Sequence, residues 1–334
     1  MTPSFGIVAA HPAIAAALTR SSLAAALAEL HAHEVANGIV PLVPPLAGRY
    51  YQLSGTRSPW TFLIQPNQRR AARSGGETAP SACRLCLSSI HAGGRQAFIE
   101  LEIADDRLLA LANPFAFMPR HMTLASMTHE PQAWRHTSVE GQRAGRTRIA
   151  TLLGLATHLP DSIVILNLPG GGGATIVDHW HAQVFSLPTG HGALPLTRAA
   201  AHAARDARFD GSIIGTNDDY PLVAARFTGE IDRICAAAVG FMMRWESCEA
   251  GGSANLIALH ENGSLCCYIV PRSPLFGSAP GFDGVFGALE TTGSFLCTTP
   301  HACARLDRGA ITFDSLWDAL RAIRPPSIDV LVSK

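Results

Sequence analysis

The run Gly170-Gly171-Gly172-Gly173-Ala174-Thr175-Ile176-Val177-Asp178-His179-Trp180-His181-Ala182-Gln183-Val184-Phe185-Ser186-Leu187 joins a glycine tract to polar side chains at every second position. Val184 to Leu187 favours an extended chain, so the spacing predicts a strand. On a strand, positions i, i+2 and i+4 share a face. His179, His181 and Gln183 then stand in a row, with Trp180, Ala182 and Val184 packed behind them. The glycines upstream allow backbone N–H groups to approach an anion closely. Two histidines two residues apart also occur as a surface strand pair or as half of a metal site, and a glycine tract as a flexible loop. Their adjacency, with Gln183 at the next same-face position, favours phosphate chemistry with histidine as the nucleophile.

Composition sets the limits. The 334 residues are 47% hydrophobic and 16% charged, with 26 basic and 26 acidic side chains. That describes a compact globule, either one large domain or two fused smaller ones. Zero net charge argues against a broad nucleic-acid footprint, which needs a basic excess. Met1 to Ala26 has no basic leader and is interrupted by Pro3, Pro12 and Thr19-Arg20-Ser21-Ser22, so it reads as amphipathic helix and not as a signal or a span. No segment is apolar for the roughly 18 residues that a membrane helix needs. Eight unevenly spaced cysteines without a secretion signal suggest free thiols and a metal pair, with the cytoplasm as the default location.

Further along, residues 13 to 36 have helical spacing, with Ser21-Ser22 capping a second helix. Thr61 to Ile64 and Met122 to Ser126 read as short strands, and Ser162 to Leu166 as a buried one. Ala97 to Ile103 and Arg107 to Ala112 form a hairpin about Ala104-Asp105-Asp106. A second hairpin joins Ala254–His260 to Ser264–Val270 through Glu261-Asn262-Gly263. Helices are expected over Gly141–Leu159, Leu222–Arg244 and Thr312–Ile323, and a helix or mobile connection over Leu196–Arg208. Antiparallel hairpins with helices between them indicate an α+β fold.

Cys83-Arg84-Leu85-Cys86 supplies half of a tetrahedral metal site, which His91, His121, His129 or His179 would complete. A thioredoxin-like redox role fits poorly, because a polar loop precedes the pair where a strand should stand. Asn113, before Pro114 and Phe115, could contact a base or ribose; the alternative is a turn plugged by Phe115 and Phe117. Arg69 and Arg70 offer guanidinium forks for phosphate.

Taken in order, the CxxC, the Asn-Pro-Phe segment, the strand with a following His, the Asn and glycine loop, and His-x-His-x-Gln resemble the histidine triad (HIT) superfamily. Within it they resemble the galactose-1-phosphate uridylyltransferase branch with its diadenosine polyphosphate and GDP-hexose phosphorylases. Residues 60 to 190 carry the likeness; Tyr268–Arg272 and Gly287–Glu290 extend it faintly. The resemblance implies an antiparallel sheet with flanking helices in two fused HIT-like halves, 1–195 (catalytic) and 196–334. It implies a nucleotidyltransferase or phosphorylase acting on a nucleoside diphosphate sugar or dinucleoside polyphosphate. His181 would be the nucleophile and Gln183 the holder of the phosphoryl oxygens. Arg70, Asn113, Asn167, Gly172, Gly173 and Thr175 would bind nucleotide or phosphate. Cys83, Cys86, His129 and His179 would hold a structural zinc, with His121 competing for the place of His129. No organic cofactor or catalytic metal is implied; the acceptor would be phosphate or a sugar phosphate. The branch is often dimeric, so a homodimer is consistent with it. A HIT-type hydrolase or lyase, and a zinc-stabilised binding protein without activity, are the competing readings. Relatives often carry Ser in the loop and Pro near Ile176-Val177, departures that bear on substrate.

Overall fold

The computed structural model describes residues 4–16, 18, 22–40, 51–67, 83–93, 96–133, 138–187, 193–275, 279, 282 and 286–333. Strand β1 (Phe5–Ala10) leads into a short helix α1 (Pro12–Ala15) and helix α2 (Leu23–Ala36), whose N-cap Ser22 accepts from the Ala25 N–H. Strands β2 (Tyr51–Leu53) and β3 (Phe62–Pro66) precede helix α3 (Leu87–Gly93). The hairpin β4 (Ile99–Ile103) and β5 (Asp106–Ala112) turns through Ala104 and Asp105, both at positive φ as a two-residue hairpin loop requires. Strand β6 (Met122–Ser126) is followed by helix α4 (Val139–His158), then β7 (Ser162–Asn167) and β8 (His181–Ser186).

The later part of the chain repeats this alternation. It runs through α5 (Pro195–Ala200), β9 (Arg205–Asp206), β10 (Gly211–Ile214), β11 (Ala224–Thr228) and helix α6 (Ile231–Cys248). The long hairpin β12 (Ser253–Glu261) and β13 (Ser264–Arg272) turns at Asn262-Gly263, again at positive φ. Helix α7 (Ala288–Thr291), strand β14 (Ser294–Cys297) and helices α8 (Pro300–Asp307), α9 (Phe313–Ala322) and α10 (Ser327–Ser333) complete it.

Among the described residues, eleven strands form one sheet, ordered β1-β4-β5-β6-β8-β7-β12-β13-β11-β10-β9. Every described pairing within it is antiparallel. Two stretches share one connectivity: three strands, a helix (α4 or α6), then two strands, the last inserted beside the third. They meet at β7 and β12, where Ile165 pairs with Ile257 and Asn167 with Asn255. One face of the sheet packs on α2, α4, α6 and α10, burying Leu152, Trp180, Phe241 and Trp245 among others. The opposite face carries Phe185, Ile257 and Tyr268 and packs on α9 and the small sheet β14-β3-β2. Removing each large apolar side chain from water stabilises the fold by about 1.5–3 kcal/mol. No described helix is long and apolar enough to cross a membrane.

Several sequence expectations are corrected. Phe5–Ala10, expected within an amphipathic helix, is a strand on β4, because β-prone Phe5, Ile7 and Val8 find a sheet edge. Leu222–Arg244 is not one helix. Its first part is β11, the chain turns at Gly229 (φ 124°), and the helix starts at Ile231. A short apolar run fits either period, and pairing with β13 decides it. Leu196–Arg208 is helical only through Ala200 before it enters β9. Strand β3 pairs in parallel with β14, a partner far along the chain, and not within the main sheet.

Candidate active site and metal cluster

Strand β8 begins at His181, so the expected row of three is split. His179 lies just before the strand, while His181 opposes Ala125 and Gln183 opposes Thr123 and Ile165. Trp180, Ala182 and Val184 fall in the core behind. The Trp180 N–H donates to Glu130 O at 2.7 Å and its carbonyl accepts from the Ser126 N–H at 2.9 Å. Behind the indole, the Arg148 guanidinium lies 4.4 Å from the ring centroid and pairs with Glu130 and Asp106. The backbone that carries both histidines is thus clamped from α4.

The two imidazoles have different partners. His181 Nδ1–H donates to the His179 carbonyl at 2.9 Å; a carbonyl only accepts, so this contact puts the proton on Nδ1 and the lone pair on Nε2. His179 Nε2–H donates to Ser126 O at 2.8 Å, which turns its Nδ1 lone pair toward the cysteines. Cys83 Sγ lies 3.2 Å from that Nδ1, and Cys86 Sγ lies 3.2 Å from His129 Nδ1 and 3.6 Å from His179 Nδ1. The ligand atoms of Cys83, Cys86, His129 and His179 all lie within 4.8 Å of one another, a group that could hold a metal ion. Metal–sulfur and metal–nitrogen bonds of about 2.3 and 2.0–2.1 Å put tetrahedral S···N edges near roughly 3.5 Å, so the donor set fits. Burial lowers the His179 pKa, which favours the neutral ring that a metal needs. Burial, then the hydrogen bond and charge of Cys83, raise the Cys86 thiol; a bound cation would reverse that.

His121 is not in the cluster. It is fully buried, its Nε2 lies 2.8 Å from Gln183 Oε1, and its ring packs 4.2 Å from Phe117. His129 takes the fourth position, and His121 orients Gln183. Asn113 Oδ1 accepts from the Phe115 N–H at 2.9 Å and its Nδ2 donates to Thr123 at 3.0 Å. That is an Asx-type turn, and Phe117 is buried beside it.

The glycine tract departs most from expectation. Gly170 to Gly172 form a single 3-10 turn, closed by Gly173 at φ 83°. Its N–H groups are engaged within the chain: Gly171 with Ser273 O, Gly172 with Ser253 Oγ, Gly173 with Gly170 O, and Ala174 with Leu168 O. The glycines serve close packing. A Cβ at Gly172 would lie 2.7 Å from Ala254 O, and one at Gly171 2.6 Å from Ser273 O. The tract is wedged against β12 and β13 and does not form an open cradle of donors. Thr175 follows on the exposed surface, and Arg69 and Arg70 lie outside the described residues.

Three residues missed in the sequence complete the framework. Gln132, fully buried, accepts the His181 N–H at 2.7 Å and donates to Asn167 O at 2.8 Å and His181 O at 2.9 Å, tying β7 to β8. Asn255 donates to Asn167 Oδ1 at 2.8 Å and to Gly172 O at 2.6 Å, and Arg272 donates to Asn255 Oδ1 at 2.8 Å. For Asn255 and Arg272 the available signal was a polar residue in an apolar strand run; Gln132 lies in a loop and gave none.

The fold has known counterparts. The chain is similar to yeast Ap4A phosphorylase Apa2, with a TM-score of 0.60 and 14% identity, covering 90% of this chain and 93% of that one. Apa2 in complex with Ap4A gives a TM-score of 0.62 at 14% identity, and Apa2 with AMP gives 0.58 at 13%. Each comparison covers 90% of this chain and 96% of the other. The protein therefore has a HIT-like α+β fold. Residues 67–186 match a domain family described as a domain of unknown function, DUF4922. No curated protein matches the chain.

Proposed function

We propose that the protein is a nucleotidyltransferase of the phosphorylase type, working through a covalent nucleotidyl-His181 intermediate. The observation that carries this reading is the His181 Nδ1–H···O=C His179 bond, which places the lone pair on Nε2. Nε2 attacks the α-phosphorus of a dinucleoside polyphosphate or nucleoside diphosphate sugar. An N–P bond forms as the P–O bond to the leaving phosphate breaks. The resulting imidazolium is stabilised by its Nδ1–H bond to the His179 carbonyl. An oxygen of inorganic phosphate or a sugar phosphate then attacks phosphorus, and the N–P bond breaks to regenerate neutral His181. Gln183, whose Oε1 faces His121, turns its amide N–H2 to the non-bridging oxygens. Asn167, Thr175 and Arg70 are the residues proposed for the phosphate chain, Gly172 and Gly173 having their N–H groups engaged on Ser253 and Gly170, and Asn113 flanks Gln183 through His121.

Zinc is the metal proposed for Cys83, Cys86, His129 and His179. It would supply structural cross-linking of the Cys83 loop to the segment before β8. A reducing compartment such as the cytoplasm suits the two thiols. We place the boundary of the two halves at 195/196, supported by the repeated strand connectivity. The likeness to Apa2 supports a nucleotide substrate, and that protein's complexes with Ap4A and AMP make these the first compounds to try.

The test is trapping with α-32P-labelled Ap4A and nucleoside diphosphate sugars. An acid-labile, base-stable adduct is expected, absent in His181→Ala. No adduct with any of these nucleotides would overturn the reading. Release of label as nucleoside diphosphate only when phosphate is present identifies phosphorolysis; release as monophosphate in its absence identifies a hydrolase.

A further inference from the structure

We propose that Arg272, at the end of β13, is a positioning residue for Asn167 and the Gly170–Gly173 turn, acting through Asn255; this rests on the transferase reading above. Arg272 is 1% exposed, and its Nη1 donates to Asn255 Oδ1 and to Phe286 O, each at 2.8 Å. By taking Oδ1, Arg272 fixes which end of the Asn255 amide faces the site. The amide N–H2 then donates to Asn167 Oδ1 and Gly172 O. Asn167 Oδ1 also accepts from the Ala288 N–H at 2.8 Å, so the same carboxamide anchors the start of α7. The Asn167 carbonyl accepts from Gln132, which accepts in turn from the His181 N–H. A hydrogen-bonded path therefore runs from a cation on β13 to the backbone of the proposed nucleophile on β8.

Arg272 is a costly way to fill this space. Among the described residues it has no ion pair within 4.0 Å, and its buried Nε has no partner. Burial pulls its pKa down to about 10, against the opposing charge of Glu290. An apolar side chain of similar volume would avoid that desolvation. What such a side chain cannot do is orient the Asn255 amide. Without that constraint the carboxamide can rotate and present Oδ1 to Gly172 O and Asn167 Oδ1, a repulsive arrangement. Asn167 would then lose the position from which its carbonyl holds Gln132, and through Gln132 the His181 N–H, in the geometry that in-line attack at phosphorus requires.

The test uses the full chain, with amide hydrogen exchange over residues 167–174 and single-turnover adduct formation from α-32P Ap4A. In Arg272→Met, exchange over 167–174 is expected to rise at least about tenfold, while β4 to β6 keep wild-type protection. The rate of adduct formation is expected to fall about 10–100-fold, with the half-saturating Ap4A concentration changed by less than about threefold. Arg272→Lys, which retains one donor to Asn255, recovers part of both losses. If Arg272→Met does not fold, Asn255→Asp serves instead: it keeps the acceptor for Arg272 as an ion pair but removes the donors to Asn167 Oδ1 and Gly172 O, and the same two defects are expected. Wild-type exchange over 167–174, or a wild-type adduct rate, in the folded variant overturns the proposal. A wild-type chain that forms no adduct with Ap4A counts against the transferase reading, and the exchange measurement still decides the role of Arg272.

Discussion

The His179 carbonyl accepts the Nδ1–H of His181 while the His179 ring points its Nδ1 at Cys83 and Cys86. One residue thereby links two functions: its side chain belongs to the metal cluster and its backbone sets the tautomer of its neighbour. The rigidity of the proposed nucleophile then depends on whatever holds His179 in place. Ser126 does so from one side, and a cation among the four ligands would do so from the other.

Loss of the proposed metal should therefore reach the proposed nucleophile. Cys83→Ser is expected to lower bound zinc well below one per chain, to reduce the melting temperature and to slow adduct formation by about tenfold or more. Elemental analysis and thermal unfolding on the same sample check this. Full zinc retention in both Cys83→Ser and His129→Ala would remove the site from the picture.

Gln132 holds three backbone groups of β7 and β8 with one side chain. Truncation in Gln132→Ala removes three hydrogen bonds, each worth about 0.5–1.5 kcal/mol net. A destabilisation of roughly 2–4 kcal/mol is expected, read from urea unfolding. Gln132→Glu should be worse for activity than for volume, because a carboxylate would face the carbonyls of Asn167 and His181. An adduct rate in Gln132→Glu equal to wild type would show that the β7–β8 tie does not serve His181.

What could be read from the sequence was local. The alternation of β8, both two-residue hairpins and the Ser22 cap are short-range patterns, and each is found in place. The four-residue metal cluster combines a CxxC with histidines that the resemblance picked out, and His129 rather than His121 occupies it. The framework of the site was not legible, because its partners are remote. Asn255 reaches Asn167 across 88 residues, and no spacing rule connects them. The glycine tract misled for the same reason. Its consecutive glycines suggested exposed donors, whereas the close approach of Ala254 and Ser273 required them.

That packing role gives a sharp contrast between glycines. In Gly172→Ala the new Cβ meets Ala254 O and Ser253 Oγ at 2.7 Å, so the turn must shift. A loss of about 1–3 kcal/mol is expected, together with slower adduct formation. At Gly240, inside α6, an added Cβ would meet nothing within 4 Å. Gly240→Ala should stabilise the chain by about 0.5–1 kcal/mol and leave activity unchanged. Equal effects of the two substitutions would mean that the tract tolerates side chains and is not wedged as described.

Glu34 on α2 gives the pH dependence a definite sign. Its Oε1 accepts from the Ala97 N–H at 2.8 Å, but Oε2 is buried with no partner. Burial raises its pKa, partly offset by that hydrogen bond and by His33 and His11. The folded state therefore binds the carboxyl proton more tightly than the unfolded chain, where the value is about 4.3. Stability from this group is complete below the unfolded value and is lost as pH rises through the folded one. Glu34→Gln removes the titration and keeps an acceptor for Ala97. The variant should match the wild type near pH 4 and melt at a higher temperature at pH 7, as thermal unfolding across that range will read. Parallel melting curves for the two proteins would mean that Glu34 is not desolvated as its surroundings imply.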